Sequence, residues 1–452
     1  MPPKTQPKPP GPRAHKFLAV AWRLLNRERE LQCISELVRQ FGDFVKLPFP
    51  GMKVYLLNHP DYVKHVLQDN HQNYTRNPTF ERFKLVLGEN LLTSEGEFWR
   101  KRRRLEQPAF HYKKVSDYSR IFTECTGSVL GRWEEMCDRH KPVEVHGEMM
   151  RLTMDVVSRA LFGTPVGPEW EIAVQAFTTT QEWGYRQRWL PIPLAIPTPR
   201  NLRFKRACRT LDQITYDIIR QRRQSNSGQD DLLAMLMNAR DEETGKGLSD
   251  RELRDEVLML FSAGHETTSN NLAWTCYLLS KSPAVREKLE DEVDRVLQGR
   301  TPTAEDSSRL SYTKMVIQES LRLYPPSRVL LRRAIGDDRI AGYEVPAGSI
   351  VMFFQWTVHR HPNFWDNPEA FDPERFSPER STGSHPYAYF PFGGGPRMCI
   401  GYQFALLEAQ MALAMIAQRF RLSLVPGHPV IPDPVVTLKP RDGILLSLRR
   451  RF

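Results

Sequence analysis

The segment from Phe392 to Gly401 constrains this chain more than any other stretch. It reads Phe-Gly-Gly-Gly-Pro-Arg-Met-Cys-Ile-Gly. Glycine has no Cβ and tolerates positive φ, so three in succession predict a backbone that turns tightly and lies flat against a broad, planar neighbour. The residues that follow are apolar at helical spacing, so Cys399 precedes a helix N-terminus, where unpaired N–H groups favour a thiolate. The segment therefore predicts a thiolate presented to a planar ligand.

Two other roles of Cys399 are less consistent with this segment. A buried cysteine after a turn is common, but an ordinary turn does not need three glycines together with Pro396 and Arg397. A zinc site needs clustered Cys and His ligands, and the sequence contains no Cys-x-x-Cys pair. The segment resembles the haem-binding loop of the cytochrome P-450 superfamily, the haem-thiolate monooxygenases. The resemblance implies haem b as cofactor, with Cys399 as its axial thiolate ligand and Phe392 and Arg397 in the cofactor site.

A second matching segment lies in a long helix that we predict from Ser249 to Ser280. Residues 263 to 268 read Ala-Gly-His-Glu-Thr-Thr. A glycine and two β-branched threonines lower helix propensity, so we expect the helix to open locally. Thr267 follows Ala263 by four residues, so its hydroxyl can bond that carbonyl group and hold a widened turn.

The resemblance assigns chemistry to this turn. It implies that Ala263 and Gly264 make room for dioxygen, and that Glu266 and Thr267 relay protons while dioxygen is activated. We expect His265 to face away, since it would otherwise compete as an iron ligand. The alternative is an Ala-Gly helix-packing contact beside an exposed Glu and Thr.

Three residues suit the carboxylates of a haem. Trp99 and Arg103 are four apart on a predicted helix and share one of its faces, where an indole N–H and a guanidinium can bind a carboxylate together. The Trp-x-x-x-Arg pair matches the family, which implies that the carboxylate is a haem propionate. Arg332, on a predicted strand, is by the same resemblance placed to meet a propionate.

Glu319 and Arg322 form a candidate structural pair. A Glu and an Arg three residues apart on a helix can make a local ion pair, and this spacing is common by chance. The downstream sequence Pro-Glu-Arg-Phe at residues 373 to 376 supplies Arg375. The resemblance implies a buried Glu–Arg–Arg set that supports the fold beneath the haem and has no part in the chemistry.

The substrate pocket is assigned by resemblance to apolar residues in separate parts of the chain. The segment from Tyr74 to Leu92, which we predict to be irregular, is either the loop that closes over the substrate or a surface loop with a few core anchors. The proline-rich segment from Trp189 to Pro199 corresponds to the mobile roof of the channel. The candidate pocket residues are Phe80, Phe83, Leu91, Leu258, Phe261, Val329, Leu330 and Leu438.

A basic helix is the candidate surface for an electron donor. Arg100 to Arg104 are all basic, and Lys113 and Lys114 follow. Such a run is usually a solvated helix face, but in the family this surface docks an acidic partner. Because the chain shows no flavodoxin-type or nicotinamide-type glycine fingerprint, we expect a separate ferredoxin or flavodoxin with its reductase.

Charge and apolar runs limit the other partners. The net charge of +11 is concentrated in residues 1–30 and 419–452, each with seven basic and two acidic residues, so we expect no nucleic-acid binding. The longest early apolar run, Phe17 to Trp22, is far shorter than the ~20 residues of a membrane-spanning helix. Six scattered cysteines suit a reducing compartment. We expect a soluble, cytoplasmic, bacterial-type monomer without an integral membrane anchor.

The resemblance extends from about Phe41 to Ser447 and implies a mainly α fold with small β-sheets. We predict a flexible basic leader with the first helix over residues 1–30, and one catalytic domain over residues 31–452. The implied activity is insertion of one atom of dioxygen into a small apolar substrate, by hydroxylation or epoxidation. Fatty acids, terpenoids, steroids and macrolides all remain open. A haem-thiolate gas sensor and a peroxide-rearranging catalyst are the alternatives, and the Glu-Thr pair argues against both.

Overall fold

Helices make up most of the molecule, as the sequence predicts. The computed structural model describes residues 8–77, 80–163, 167–187, 192–224, 231–240 and 245–451. Residues 1–7 of the predicted leader and 189–191 of the predicted roof lie outside this part. The described helices are α1 (Phe17–Leu25), α2 (Glu30–Phe41), α3 (Pro60–Lys64), α4 (Phe80–Leu87), α5 (Gly96–Glu106), α6 (Tyr112–Asp117), α7 (Ser119–Asp138), α8 (Val145–Phe162), α9 (Pro168–Arg186), α10 (Pro199–Gln224), α11 (Leu232–Asn238), α12 (Asp250–Lys281), α13 (Pro283–Leu297), α14 (Ser311–Leu323), α15 (Gln355–Val358), α16 (Pro378–Ser381) and α17 (Tyr402–Arg419).

The strands are short and form small sheets. Among the described residues a five-stranded sheet has the order β1-β2-β8-β5-β3, a three-stranded sheet the order β4-β12-β9, and the pairs β6–β7 and β10–β11 stand apart. The pairing of β2 with β8 is parallel, whereas the other pairings are antiparallel. The strands are β1 (Phe44–Leu47), β2 (Val54–Leu57), β3 (Tyr74–Arg76), β4 (Val143–Glu144), β5 (Val329–Ala334), β6 (Asp338–Ile340), β7 (Tyr343–Val345), β8 (Ile350–Phe354), β9 (Phe420–Leu424), β10 (Pro432–Pro434), β11 (Leu438–Pro440) and β12 (Leu445–Arg450).

The chain forms two compact units, one of residues 1–80 and 318–399 and the other of residues 81–317 and 400–452. The first unit contains the five-stranded sheet. Both faces of that sheet are apolar and bury separate clusters, one around Phe353 and one around Leu56 with helix α2. β5 and the segment that leads to Cys399 belong to this unit.

The second unit is organised around α12. Ser249 caps this helix, because its hydroxyl accepts from the Glu252 backbone N–H while the Glu252 carboxylate accepts from the Ser249 N–H. Most of α12 is buried against α8, α10 and neighbouring elements. Helix α17 packs against α7 through Phe404 and Phe122, whose ring centroids lie 4.9 Å apart. Residues 263–268 lie on α12, and α17 begins three residues after Cys399.

The prediction of irregular structure from Tyr74 to Leu92 is wrong for residues 74–76 and 80–87, whereas residues 88–92 lie in no helix or strand. Residues 74–76 form β3, which pairs with β5, and residues 80–87 form α4. In α4 the apolar residues Phe83, Val86 and Leu87 share one face and pack into the core of the second unit. This three-and-four spacing was the signal that the sequence interpretation missed.

Candidate functional site

Cys399 is the exposed cysteine of the chain, whereas the other five are buried or half-buried. Its backbone N–H donates to the Phe392 carbonyl at 2.9 Å, which closes a loop of eight residues. The loop ends three residues before the first residue of α17, as the sequence predicts. The thiol therefore stands at the rim of a closed loop and is accessible to a ligand.

Two of the three glycines in this loop are required by contacts within the protein. Gly395 has φ +62°, and a Cβ on it would lie 1.8 Å from the Leu67 carbonyl oxygen. A Cβ on Gly394 would lie 2.4 Å from the ring of Tyr387. The loop thus lies close to a tyrosine ring and to a peptide group of the same unit. The loop is pinned there, because the Tyr387 hydroxyl accepts from the Gly395 N–H at 3.0 Å and donates to Gln68 Oε1 at 2.9 Å.

The Cys399 thiol is a suitable donor atom for a haem iron. A single accessible thiol on a rigid loop at a helix N-terminus is the donor set of a haem-thiolate site, not of a zinc site. Among the described residues no group of three or more His, Cys, Asp or Glu side chains could hold a metal ion. Gly393 (φ +74°) has the Leu330 side chain 3.8 Å from the position of a Cβ, so β5 borders the same loop.

Helix α12 presents one accessible ridge on a largely buried surface. Ala263 is exposed, and Gly264 and Thr267 are half-buried, whereas Phe261 and Glu266 are buried. A Cβ on Gly264 would lie 2.9 Å from Val157 Cγ2, so this glycine allows α8 to approach α12 closely. Ala263 is the exposed residue of the middle of α12, since the other exposed residues, Asp250, Arg251 and Lys281, lie at its ends.

The predicted local opening of α12 is wrong, although the predicted side-chain bond is present. Thr267 Oγ1 donates to the Ala263 carbonyl at 2.9 Å. The helix is nevertheless continuous α-helix from Asp250 to Lys281. The propensity cost of a glycine is only ~1 kcal/mol, and burial of the flanking turns outweighs it.

The Glu266 carboxylate is buried and accepts one hydrogen bond at each oxygen. Thr437 Oγ1 donates to Oε1 at 2.6 Å, and Gln181 Nε2 donates to Oε2 at 2.7 Å. His265 is turned into the protein, with Nδ1 2.6 Å from the Phe261 carbonyl oxygen. Burial lowers the pKa of His265, which favours the neutral imidazole. The sequence does not indicate Gln181, because this residue is 85 residues from Glu266 along the chain and meets it only in the fold.

Trp99 and Arg103 lie on one face of α5, both half-buried. Their neighbour Arg102 is buried, ion-pairs with Glu252, and has Nε 3.5 Å from Glu256 Oε1. The expectation that the whole run Arg100 to Arg104 docks a donor is therefore wrong for Arg102. In the first unit, Arg332 is half-buried on β5, with Nη1 2.9 Å from its neighbour's carbonyl oxygen.

The predicted Glu–Arg–Arg residues meet in the first unit. Glu319 accepts from Arg322 through both oxygens, and Arg375 Nε lies 3.3 Å from Glu319 Oε1. All three side chains are buried. Their remaining donors bind backbone carbonyls, including that of Pro368 at 2.7 Å. The set ties α14 to the irregular segment between α15 and α16.

The candidate pocket residues fall in both units. Phe83, Leu91, Leu258 and Phe261 belong to one apolar cluster of the second unit, where Phe261 stacks on Phe177 with centroids 5.4 Å apart. Leu438 is fully buried there, and its carbonyl accepts from Trp274 Nε1 at 3.1 Å. In the first unit, Phe80 packs beneath the Arg76 guanidinium at 4.9 Å, and Val329 and Leu330 are half-buried on β5.

The exposed basic surface contains fewer side chains than the basic run in the sequence suggests. Arg100 and Arg104 are exposed, and both lie near the Glu97 carboxylate, at 3.1 and 3.8 Å. Lys113 is exposed and Lys114 half-buried on α6. None of the described helices is both long enough and apolar enough to cross a membrane.

Comparisons with known proteins agree with this site. The family model for cytochrome P450 matches residues 9–446. Cyclooctat-9-en-7-ol 5-monooxygenase of Streptomyces melanosporofaciens is 37% identical over 402 residues, 88% of this chain and 86% of that protein. Pentalenene oxygenase of Streptomyces avermitilis is 33% identical over 443 residues, 98% of this chain and 97% of that protein.

A solved structure agrees over the same length. The crystal structure of the cytochrome P450DA heme domain superposes with a TM-score of 0.89 at 30% identity, covering 99% of this chain and 98% of that one. The family model and the relatives cover nearly the whole chain, so the match is not confined to the cysteine loop. The chain therefore belongs to the cytochrome P450 family and is a monooxygenase that holds haem through a cysteine thiolate.

Proposed function

We propose that this enzyme oxidises an apolar cyclic terpenoid, by hydroxylation or epoxidation. The observation that carries the proposal is the likeness over nearly the whole chain to two Streptomyces enzymes named for cyclooctat-9-en-7-ol and pentalenene. Both names describe cyclic unsaturated molecules with at most one hydroxyl group. Such substrates offer few hydrogen-bonding groups, so a pocket must select them by shape and apolar contact.

The candidate pocket residues suit such a molecule. The four that cluster in the second unit, Phe83, Leu91, Leu258 and Phe261, carry no polar atom in their side chains. Leu330 adds an apolar side chain beside the cysteine loop of the first unit. The apolar cluster of the second unit would orient a rigid ring system and exclude water from it.

The chain's own residues would then divide the remaining tasks. Cys399 would bind the haem iron; Trp99, Arg103 and Arg332 would bind its carboxylates; and Phe392 and Arg397 would complete the cofactor site. When bound, haem with a thiolate ligand supplies the activation of dioxygen and the oxidising power. Ala263 and Gly264 would make room for dioxygen. Glu266 and Thr267 would hold and deliver protons, because a positioned acid and a hydroxyl can both take part in proton transfer.

Electrons would come from a separate ferredoxin or flavodoxin with its reductase. The exposed side chains of Arg100, Arg104 and Lys113, with Lys114 beside them, offer positive charge to an acidic partner. We infer a monomeric, cytoplasmic enzyme with one catalytic domain over residues 31–452 and a basic leader with the first helix before it.

A substrate-binding screen tests the substrate class. Matched sets of cyclic terpenoid hydrocarbons, terpenoid alcohols, fatty acids, steroids and macrolides would be titrated into the ferric enzyme, and the spin-state shift of the haem recorded. We expect saturable shifts with cyclic terpenoids. A set in which only fatty acids or macrolides shift the spectrum would refute the terpenoid proposal.

A further inference from the structure

A chain of hydrogen bonds ends on Glu266 within the second unit. His146 Nε2 lies 2.9 Å from Asn270 Oδ1, Asn270 Nδ2 lies 2.9 Å from Thr437 Oγ1, and Thr437 Oγ1 lies 2.6 Å from Glu266 Oε1. Asn270 is completely buried and Thr437 nearly so, while His146 is half-buried. The chain thus runs from a partly accessible imidazole to the acid of the proposed proton relay.

The donor and the acceptor of every hydrogen bond in this series follow from Glu266, the last member of the series. A carboxylate can only accept, so the Thr437 hydroxyl proton must point to Glu266. Thr437 Oγ1 must then accept from the Asn270 amide N–H, which places Asn270 Oδ1 toward His146. His146 must supply an N–H to that oxygen, so its proton belongs on Nε2. One carboxylate therefore fixes a hydroxyl rotor, an amide orientation and an imidazole tautomer.

Both oxygens of Glu266 are engaged by donors. Thr437 occupies Oε1, and Gln181 from α9 occupies Oε2. A proton on the lone pair that already accepts from Thr437 or Gln181 would meet another donor hydrogen, which is a repulsive arrangement in a buried site. A proton on Glu266 must therefore take a remaining lone pair, or one donor must turn away, or the hydrogen bonds through Thr437 must reverse.

Reversal is possible along the Thr437 branch. A protonated Glu266 would donate to Thr437, Thr437 would donate to a turned Asn270 amide, and Asn270 would donate to a bare His146 Nε2. The proton of His146 would then lie on Nδ1. The two directions of the chain thus correspond to two tautomers of one histidine.

We propose that Thr437, Asn270 and His146 are positioning residues for Glu266, and that the His146 tautomer reports the direction of the hydrogen bonds between them. The proposal rests on the proposed role of Glu266 in proton delivery. Thr437 precedes β11 directly and Gln181 belongs to α9, so both donors come from elements outside the relay helix. Movement of either element would release one oxygen of Glu266 and allow it to take up a proton.

Three charged groups act on His146: Glu144 on β4, Lys439 on β11 and Glu266 on α12. Burial lowers the pKa of His146 although both acids raise it. The lowered pKa favours the neutral imidazole, which has two tautomers.

The first measurement needs no variant. Ring ¹⁵N chemical shifts of histidine-labelled enzyme in the diamagnetic ferrous–carbonyl form give the tautomer of each histidine, and His146→Gln identifies its signals. We expect the Nε2–H tautomer for His146. The Nδ1–H tautomer in this form would overturn the proposed direction of the hydrogen bonds.

Variants at Thr437 separate positioning from packing. Thr437→Val keeps the shape and removes the hydroxyl, Thr437→Ser keeps the hydroxyl, and Thr126→Val is the control for a buried threonine elsewhere in this unit. We expect Thr437→Val to mix the His146 tautomers and to lower product formed per reduced nicotinamide by about 10-fold, the scale on which outer partners of a site act. Thr437→Ser and Thr126→Val should retain both values.

The outcomes distinguish the two proposals. In one outcome, Thr437→Val mixes the tautomers but neither it nor Glu266→Gln changes the product ratio. The hydrogen bonds then position Glu266, and the proposed relay is wrong. If Glu266→Gln lowers the ratio while Thr437→Val leaves tautomer and ratio unchanged, the positioning proposal is wrong. Should Thr437→Val fail to fold, Asn270→Leu and the tautomer of the unmodified enzyme decide the question.

Discussion

Glu319 holds the guanidinium of Arg322 at two points, with Nε and Nη2 each 2.7 Å from a carboxylate oxygen and both side chains inaccessible to solvent. Removal of one member of such a set leaves a buried charge without a partner, at a cost of ~3–5 kcal/mol. We expect Glu319→Gln to lower the free energy of unfolding by this amount, measured with urea on the haem-loaded enzyme. Glu97→Gln, which breaks an exposed pair, should change it by less than ~1 kcal/mol.

Cys399→Ser should abolish the thiolate-type absorption of the ferrous carbonyl complex. Serine keeps the size of the side chain but replaces the sulfur donor that sets this absorption. The measurement is the difference spectrum of reduced enzyme with and without carbon monoxide. Cys208→Ser, at a half-buried cysteine away from the loop, should retain the band. A normal band in Cys399→Ser protein would assign the ligand to another residue.

Thr267→Ala should uncouple electron consumption from product formation. The variant loses a hydroxyl bonded to the Ala263 carbonyl, but α12 is already continuous, and alanine favours a helix. We therefore expect normal haem content and substrate binding, with product per reduced nicotinamide lowered ~10²-fold or more and hydrogen peroxide released in its place. Thr267→Ser, which keeps the hydroxyl, is the matched control and should remain coupled.

If Thr267→Ala and Glu266→Gln both keep the parental ratio of product to nicotinamide, these two residues serve only packing. That result would direct the search for the proton path to other buried polar groups of the second unit.

Reduction of the enzyme by an acidic donor should slow as salt rises. Surface charges steer the encounter and are screened over ~8 Å at physiological ionic strength. Lys113→Glu and Lys114→Glu should reduce the rate of donor-dependent reduction at low salt, in stopped-flow experiments with a ferredoxin. Lys141→Glu, an exposed lysine after α7, should leave the rate unchanged. Equal rates for all four proteins at every salt concentration would place the donor elsewhere.

His359 should make the enzyme acid-sensitive. Burial, with Arg322 and Arg360 nearby, lowers the pKa of His359 to about 3. Below pH ~6.5 the unfolded chain binds a proton at this residue that the folded protein excludes, so stability falls by ~1.4 kcal/mol per pH unit until the folded pKa is reached. Urea unfolding at pH 7 and pH 5 should show this loss, ~2 kcal/mol in total.

The matched variant is His359→Gln. The Phe390 N–H donates to His359 Nε2 at 2.9 Å, and a glutamine oxygen can accept the same bond without titrating. This variant should lose less stability than the parent between pH 7 and pH 5. An identical loss in both proteins would mean that other groups account for the acid sensitivity.

Local patterns were sufficient where the chemistry lies within a few residues of sequence. The cysteine loop, the i, i+4 bond from Thr267 to Ala263 and the i, i+3 pair of Glu319 with Arg322 depend on spacing within one turn or one helix, and the structure shows each of them. The prediction of an irregular segment around α4 failed because the spacing of a short amphipathic helix was not recognised among the aromatic residues. The predicted opening of α12 failed because packing outweighed propensity.

The sequence by itself determined the family, because its cysteine loop and other short motifs resemble those of that family. The cysteine ligand and the mainly helical fold followed from this resemblance. Tertiary structure decided which side chains touch over long separations. Gln181 and Thr437 are 85 and 171 residues from Glu266, yet each binds one of its oxygens. Arg102 looked like its basic neighbours and is buried against Glu252. Such contacts depend on how helices pack, which residue spacing along the chain does not encode.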